Sequence, residues 1–192
     1  MLAARVRARL ASREAIDMAD LFLIEVPAAT KAAHSEIEPV FELIRVAVEQ
    51  SNGELIEVQY GQDLGVVYGI IEHRSAEALE GLLRHHGLEF DKVEPVRLVG
   101  PTLDEVKANR GSANYLVEWD IPEEIGMDQY LEAKRTKAPL YEQVPETTFM
   151  RTYVREDTVK CLCIYDAPDE DAVRRARKAV NTPIDRLTRI GD

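Results

Sequence analysis

The chain has 192 residues, 45% of them hydrophobic, with 24 basic against 35 acidic side chains and a net charge of −11. That length suits one domain or two small ones, the apolar share excludes wholesale disorder, and the acidic balance excludes a general nucleic-acid binder, which needs a basic surface to displace counterions. No apolar run approaches the ~18 residues of a membrane-spanning helix, and two cysteines make no disulfide framework, which fits a reducing, cytoplasmic compartment.

Residues 1–17 place Arg5, Arg7, Arg9 and Arg13 against only Glu14 and Asp17. They lack the apolar core of a secretory signal and read as a flexible N-terminal extension, with Met18 as the natural start. A first repeat then covers 18–100. Its strands fall near 20–26, 54–61, 65–72 and 93–99. The first helix starts at Ser35, with Glu38 at capping-box spacing. It buries Val40, Leu43, Ile44, Ala47 and Val48 and stops at Ser51-Asn52-Gly53. The second runs from Ser75 to Gly87 with Ala78, Leu79, Leu82 and Leu83 inward.

A linker at 101–112 leads to a second repeat over 113–192. Its strands fall near 114–120, 147–155, 158–166 and 186–190. One helix covers about 127–137, ended or kinked by Pro139. The other starts at Asp169 and ends near Asn181. Sliding the sequence by 94 aligns the halves without a gap from Leu55 to Val93, so that Tyr68-Gly69-Ile70-Ile71-Glu72 falls on Leu162-Cys163-Ile164-Tyr165-Asp166.

Each half therefore reads βαββαβ, the ferredoxin-like plan. Such a unit covers one sheet face with helices and leaves the other bare, which is marginal for about 90 residues. The expected fold is α+β: tandem ferredoxin-like repeats whose sheets pack face to face, as in dimeric-barrel-like α/β-barrel proteins.

Strand alternation then assigns sides. Leu162 and Ile164 suit the helix side, which turns Cys161, Cys163 and Tyr165 toward the bare face. Glu118, Arg151 and Tyr153 join them there. The first half contributes Glu25, Glu57, Gln59, Val67, Gly69 and Ile71 to the same face. A three-residue turn at Glu156–Thr158 sets Arg151 opposite Cys163 and Tyr153 opposite Cys161. The two sulfurs share a side, but Cα atoms ~6.5–7 Å apart are too far for an easy disulfide.

At Asn114-Tyr115-Leu116-Val117-Glu118, Arg151-Thr152-Tyr153-Val154, Cys163-Ile164-Tyr165-Asp166-Ala167-Pro168 and Ile184-Asp185-Arg186 the second half resembles the domain-of-unknown-function 4242 family, whose members include small ferredoxin-fold nickel-binding proteins. The resemblance covers about 113–190 and carries onto Glu118, Tyr153, Cys163 and Tyr165. It implies the fold and, as a cofactor, nickel.

The expected function is non-catalytic binding of nickel or another soft divalent metal at the sheet face of the second repeat. Cys163 is the leading ligand, with Glu118, Tyr153 and Cys161 as lesser ones, because soft sulfur with oxygen donors suits such ions. Arg151, Tyr165, Glu25 and Gln59 line the ligand side, and no catalytic residue is assigned. The alternatives are a cofactor-independent small-molecule enzyme or binder with its pocket between the sheets, and a structural or homo-oligomerising module. Nucleic acid and membrane are not expected partners. His34, His73, His85 and His86 read as surface residues, and Arg174, Arg175, Arg177 and Lys178 as charge matched to a helix C-terminus.

Overall fold

The computed structural model describes residues 20–28, 34–61, 65–109 and 113–191. The expectations for residues 1–17 and for the Ser35 side chain lie outside the described residues. In chain order, β1 (Asp20–Pro27), α1 (His34–Gln50), β2 (Glu54–Tyr60), β3 (Val66–His73), α2 (Ala76–His85) and β4 (Val93–Val99) make the first repeat. A short helix, α3 (Leu103–Ala108), follows. Then come β5 (Tyr115–Asp120), α4 (Met127–Lys137), a 3-10 helix (Ala138–Gln143), β6 (Thr148–Arg155), β7 (Lys160–Asp166), α5 (Glu170–Ala179) and β8 (Arg186–Arg189).

Local chemistry sets the boundaries. Asn52 takes a left-handed φ of 58° after α1, and the Gly53 amide returns to the Val48 carbonyl, closing the helix as the Ser-Asn-Gly run predicts. Ser75 and Asp169, 94 positions apart, cap α2 and α5 by accepting from the Ala78 and Ala172 amides. Of the four residues assigned to the inner face of α2, Leu79 and Leu83 are buried and Leu82 is half-buried, while Ala78 is exposed. Pro139 sits where α4 gives way to the tighter 3-10 turn, since a proline in the next turn removes an amide the α-helix needs.

The strands form one antiparallel sheet in the order β2-β3-β1-β4-β6-β7-β5-β8. Each repeat supplies four neighbouring strands, and β4 joins β6 from Val96↔Arg155 to Val99↔Thr152. The sheet curls so that its two halves also meet face to face. Leu23, Ile56, Tyr68 and Ile70 from the first half pack on Leu116, Tyr153, Leu162 and Ile164 from the second. Each repeat keeps its own core under its helices.

The expected linker is not plain coil. Thr102 and Glu105 form a capping box at the start of α3. Val106 is buried against one end of the inter-sheet core, and Lys107 bonds Glu72 and Glu54. His73 also departs from the surface reading. It is buried at the end of β3, where its ring lies against Gly53. No helix among the described residues is long and apolar enough to cross a membrane.

Candidate functional site

The side assignment on β3 and β7 is reversed in the structure. Cys161, Cys163 and Tyr165 lie beneath the helices of the second repeat, with Val117, Tyr130, Ala172 and Val173. Val67 and Ile71 lie likewise under the helices of the first repeat, and Gly69 faces Ile24 of that core. Leu162 and Ile164 face the other half-sheet instead. Both faces of this sheet are buried, so leucine and isoleucine suit either one and alternation alone leaves the side undecided. The register also differs. The β6–β7 turn has four residues, so Arg151 pairs with Ile164 and Tyr153 with Leu162, while Thr152 and Val154 face Cys163 and Cys161.

The expected site therefore splits in two. Glu118, Arg151, Tyr153, Glu25 and Gln59 do lie between the half-sheets, where all but Tyr153, whose buried hydroxyl has no hydrogen-bond partner, form ion pairs or hydrogen bonds. Arg151 makes a double contact with Glu57, Nε to Oε1 at 2.9 Å and Nη2 to Oε2 at 2.5 Å, and Gln59 donates to the same carboxylate. Tyr153 is buried beside Glu57; burial, then that carboxylate, pushes its phenol up. Tyr68 donates to Glu118 at 2.7 Å, Arg186 reaches Glu118 at 3.2 Å, and Lys160 holds Glu25 at 3.0 Å. These carboxylates are matched by cations, and the space between them is filled by the inter-sheet core. Cys163, Cys161 and Tyr165 are on the far side of the sheet from Glu118 and Tyr153. The proposed ligand set does not assemble, and among the described residues no three His, Cys, Asp or Glu side chains converge.

The cysteines have a different company. Lys134 of α4 donates to Thr152 Oγ1 at 3.0 Å and to Cys163 Sγ at 3.4 Å. Thr152 donates to the same sulfur at 3.3 Å, and Arg177 Nη1 of α5 lies 3.5 Å from it. Cys161 Sγ is 3.8 Å away. Arg177 is 1% exposed, and neither it nor Lys134 forms a salt bridge to a carboxylate among the described residues. A buried guanidinium needs a counter-charge, and the Cys163 sulfur stands in that place. The Cys161 hydrogen bond, then Lys134, Arg177 and Thr152, hold the Cys163 thiol well below its ordinary range against the opposing effect of burial. Burial and the Cys163 charge push Cys161 up. Both directions favour placing any negative charge of the pair on Cys163 and the proton on Cys161.

Tyr130 and Tyr165 complete the cluster, both pushed up first by burial, then Tyr130 by Cys161 and Cys163 and Tyr165 by Cys163. Tyr165 bonds Tyr141 Oη at 2.9 Å. Tyr130 Oη lies beside Cys161 without a well-directed partner, and Arg177 Nε has none. Over the cluster opens a cleft of about 230 Å³, walled by Trp119, Tyr130 and Tyr141 with Lys134 and Lys137 at its polar side. Lys134 also lies over the Phe149 ring at 4.7 Å.

Sequence reading passed over Lys134, Tyr130, Tyr141, Thr152 and Arg177. One signal was present. Arg177 falls on the stripe of Val173, Ala176 and Val180, all buried, and Lys134 follows Tyr130 by one helical turn. A cation on an apolar stripe points to a buried partner.

Two sulfurs 3.8 Å apart would suit neighbouring positions on a metal, since bonds of ~2.3 Å give a tetrahedral edge of about 3.7 Å. The remaining hydrogen-bonding neighbours of Cys163 are the Thr152 hydroxyl, an ammonium and a guanidinium. The two cations repel a divalent ion and supply no lone pair, so this cluster does not fit nickel.

Residues 115–190 match the profile of a family described as nickel responsive protein SCO4226-like. No curated protein matches the chain. Among solved structures, SCO4226 from Streptomyces coelicolor A3(2) is 16% identical, aligns 42% of this chain with 99% of its own, and has a TM-score of 0.38. An anthrone oxidase-like protein is 14% identical over 92% of both chains with a TM-score of 0.50. A candidate monooxygenase from Lactobacillus acidophilus NCFM is 9% identical over 91% of this chain and 94% of its own, also at 0.50. At such identities the likeness is one of fold, that of the α+β barrel with ferredoxin-like halves.

Proposed function

We propose that the second repeat binds a small anionic molecule in the aromatic cleft above Cys163, and that the chain is a small-molecule binder. The observation that carries this is uncompensated positive charge. Lys134 and Lys137 line the cleft, no carboxylate lines it among the described residues, Arg177 is buried beneath it beside Cys163, and the Tyr130 phenol on its wall has no hydrogen-bond partner. Cations in a partly dry, apolar setting recruit an anion strongly. The cleft lies below the usual ~300–1,000 Å³ of drug-sized pockets, which limits the ligand to about one ring.

The profile match at 115–190 supports a second reading, binding of nickel by this repeat. The cations at Cys163 oppose it at this cluster, so any nickel held would leave Cys163 free.

Trp119 is the chain's single tryptophan and lines the cleft. Titration with benzoate should change its emission saturably, with benzamide a weaker ligand. Lys134→Gln should weaken benzoate about tenfold or more, the loss of one charge-assisted hydrogen bond of roughly 1.5–3 kcal/mol. A parallel nickel titration should give the same result for the wild type and Cys163→Ser. Equal affinity for benzoate and benzamide, or nickel binding lost in Cys163→Ser, would overturn the reading.

A further inference from the structure

The anion reading leaves one group at the site unused, the Cys163 sulfur itself. It accepts hydrogen bonds from Lys134, Thr152 and Arg177, and shares a fourth with Cys161. Its neighbour Cys161 is placed to supply a proton at 3.8 Å. Lys134 and Tyr130 both line the cleft and reach the cysteine pair, and the Lys134 ammonium is the flexible one of the two. A swing of that ammonium, which is free to follow an incoming carboxylate, opens the way. The unpartnered hydroxyl of Tyr130, 1% exposed, lies beside the same two sulfurs. A purely structural cysteine sits among apolar atoms and stays inert; reactive ones sit among cations.

We propose that Cys163 is a nucleophile that captures a small soft carbon electrophile bearing a carboxylate, an α,β-unsaturated acid being the natural class. This rests on the anion reading of the cleft. The carboxylate docks on Lys134 and Lys137. The sulfur lone pair forms a C–S bond at the β-carbon, and the π pair of the C=C bond moves to the α-carbon. That carbon takes the Cys161 proton, and Cys161 regains one from water. The product is a thioether, and no oxidant or reductant is consumed.

Iodoacetate and iodoacetamide test the idea on the full native chain. With either reagent the C–S bond forms as iodide leaves with the C–I electron pair. Free thiolates in water react more readily with the neutral amide, because the carboxylate repels them. Here peptide mass analysis should find the label on Cys163 and not on Cys161, and iodoacetate should react at least as fast as iodoacetamide. Lys137 lines the cleft and makes no hydrogen bond to either sulfur, so Lys137→Gln should slow iodoacetate several-fold more than it slows iodoacetamide. Labelling of both cysteines at equal rates would report unfolding and overturn the proposal. So would an unlabelled Cys163 in a chain that still binds benzoate, and in that case the cleft reading survives. Labelling by iodoacetamide alone, without benzoate binding, overturns both.

Discussion

Arg177 and Cys163 depend on each other. A guanidinium 1% exposed would be unfavourable without an anion, and a thiolate 0% exposed would be unfavourable without cations. Their stabilities are therefore tied to pH. Cys163 is depressed in the folded chain, so its contribution is complete above the unfolded thiol value of about 8.5 and fades as pH falls through its lower folded value. Cys161 is raised, so its contribution is complete below about 8.5 and is lost above it. The other charged or titratable groups on the pair are Lys134 and Tyr130 of α4, Tyr141 of the 3-10 helix, Tyr165 of β7 and Arg177 of α5. The stability difference between the wild type and Cys163→Ser should rise with pH through neutrality and level off near 8.5. Urea melts at a series of pH values measure this, and a flat difference would mean a neutral Cys163. Little of this was legible at sequence level. Cys161-x-Cys163 shows that both sulfurs share a side, but not which side, and the cations come from helices 25 or more residues away in the chain or one crossover later.

At the level of elements, the duplication is more readable, and its most informative trace is a defect. The β2–β3 ladder shifts between Leu55 and Glu57, and the β6–β7 ladder shifts between Phe149 and Arg151. The two bulges are 94 residues apart, as are Glu57 and Arg151 themselves. Each bulge turns a charged residue onto the inner face, and the two residues meet there 3% and 7% exposed. Equivalent positions of the two repeats have thus become opposite charges across the interface. The sequence placed both residues on this face correctly because β2 and β6 alternate charged with apolar residues, a cue β3 and β7 lack. Arg151→Met should cost about 3–5 kcal/mol by leaving the Glu57 carboxylate buried and unpaired, whereas the double change Glu57→Leu with Arg151→Met should return near to wild-type stability. Guanidinium melts of the four chains give the cycle. A double variant as unstable as the single would show the pair to be worth more than its desolvation.

Across the whole molecule, the question is whether two repeats with separate helical cores behave as one cooperative unit. Three features bind them. The β4–β6 ladder makes the sheet continuous. The inter-sheet core draws on both halves, and α3 seals one end of it with Val106. The ion pairs Arg151–Glu57 and Lys160–Glu25 cross between the halves. The face-to-face core followed from the bare face of each repeat, but the β4–β6 ladder could not be read from periodicity, which reports each element's buried face and not which edge strand finds which neighbour. A half-sheet stripped of its partner would expose Leu116, Leu162 and Ile164 together, an apolar patch that costs about 25 cal/mol for every Å² returned to water. Neither repeat should therefore persist once the other has unfolded. Trp119 sits in the second repeat, so its fluorescence reports that half alone, while far-UV circular dichroism reports all eight strands. In urea the two signals should fall together with one midpoint and one slope, and Arg151→Met should move both midpoints equally. A tryptophan transition separated from the dichroism transition would instead mean that the second repeat stands by itself and that the inner face contributes little to holding it.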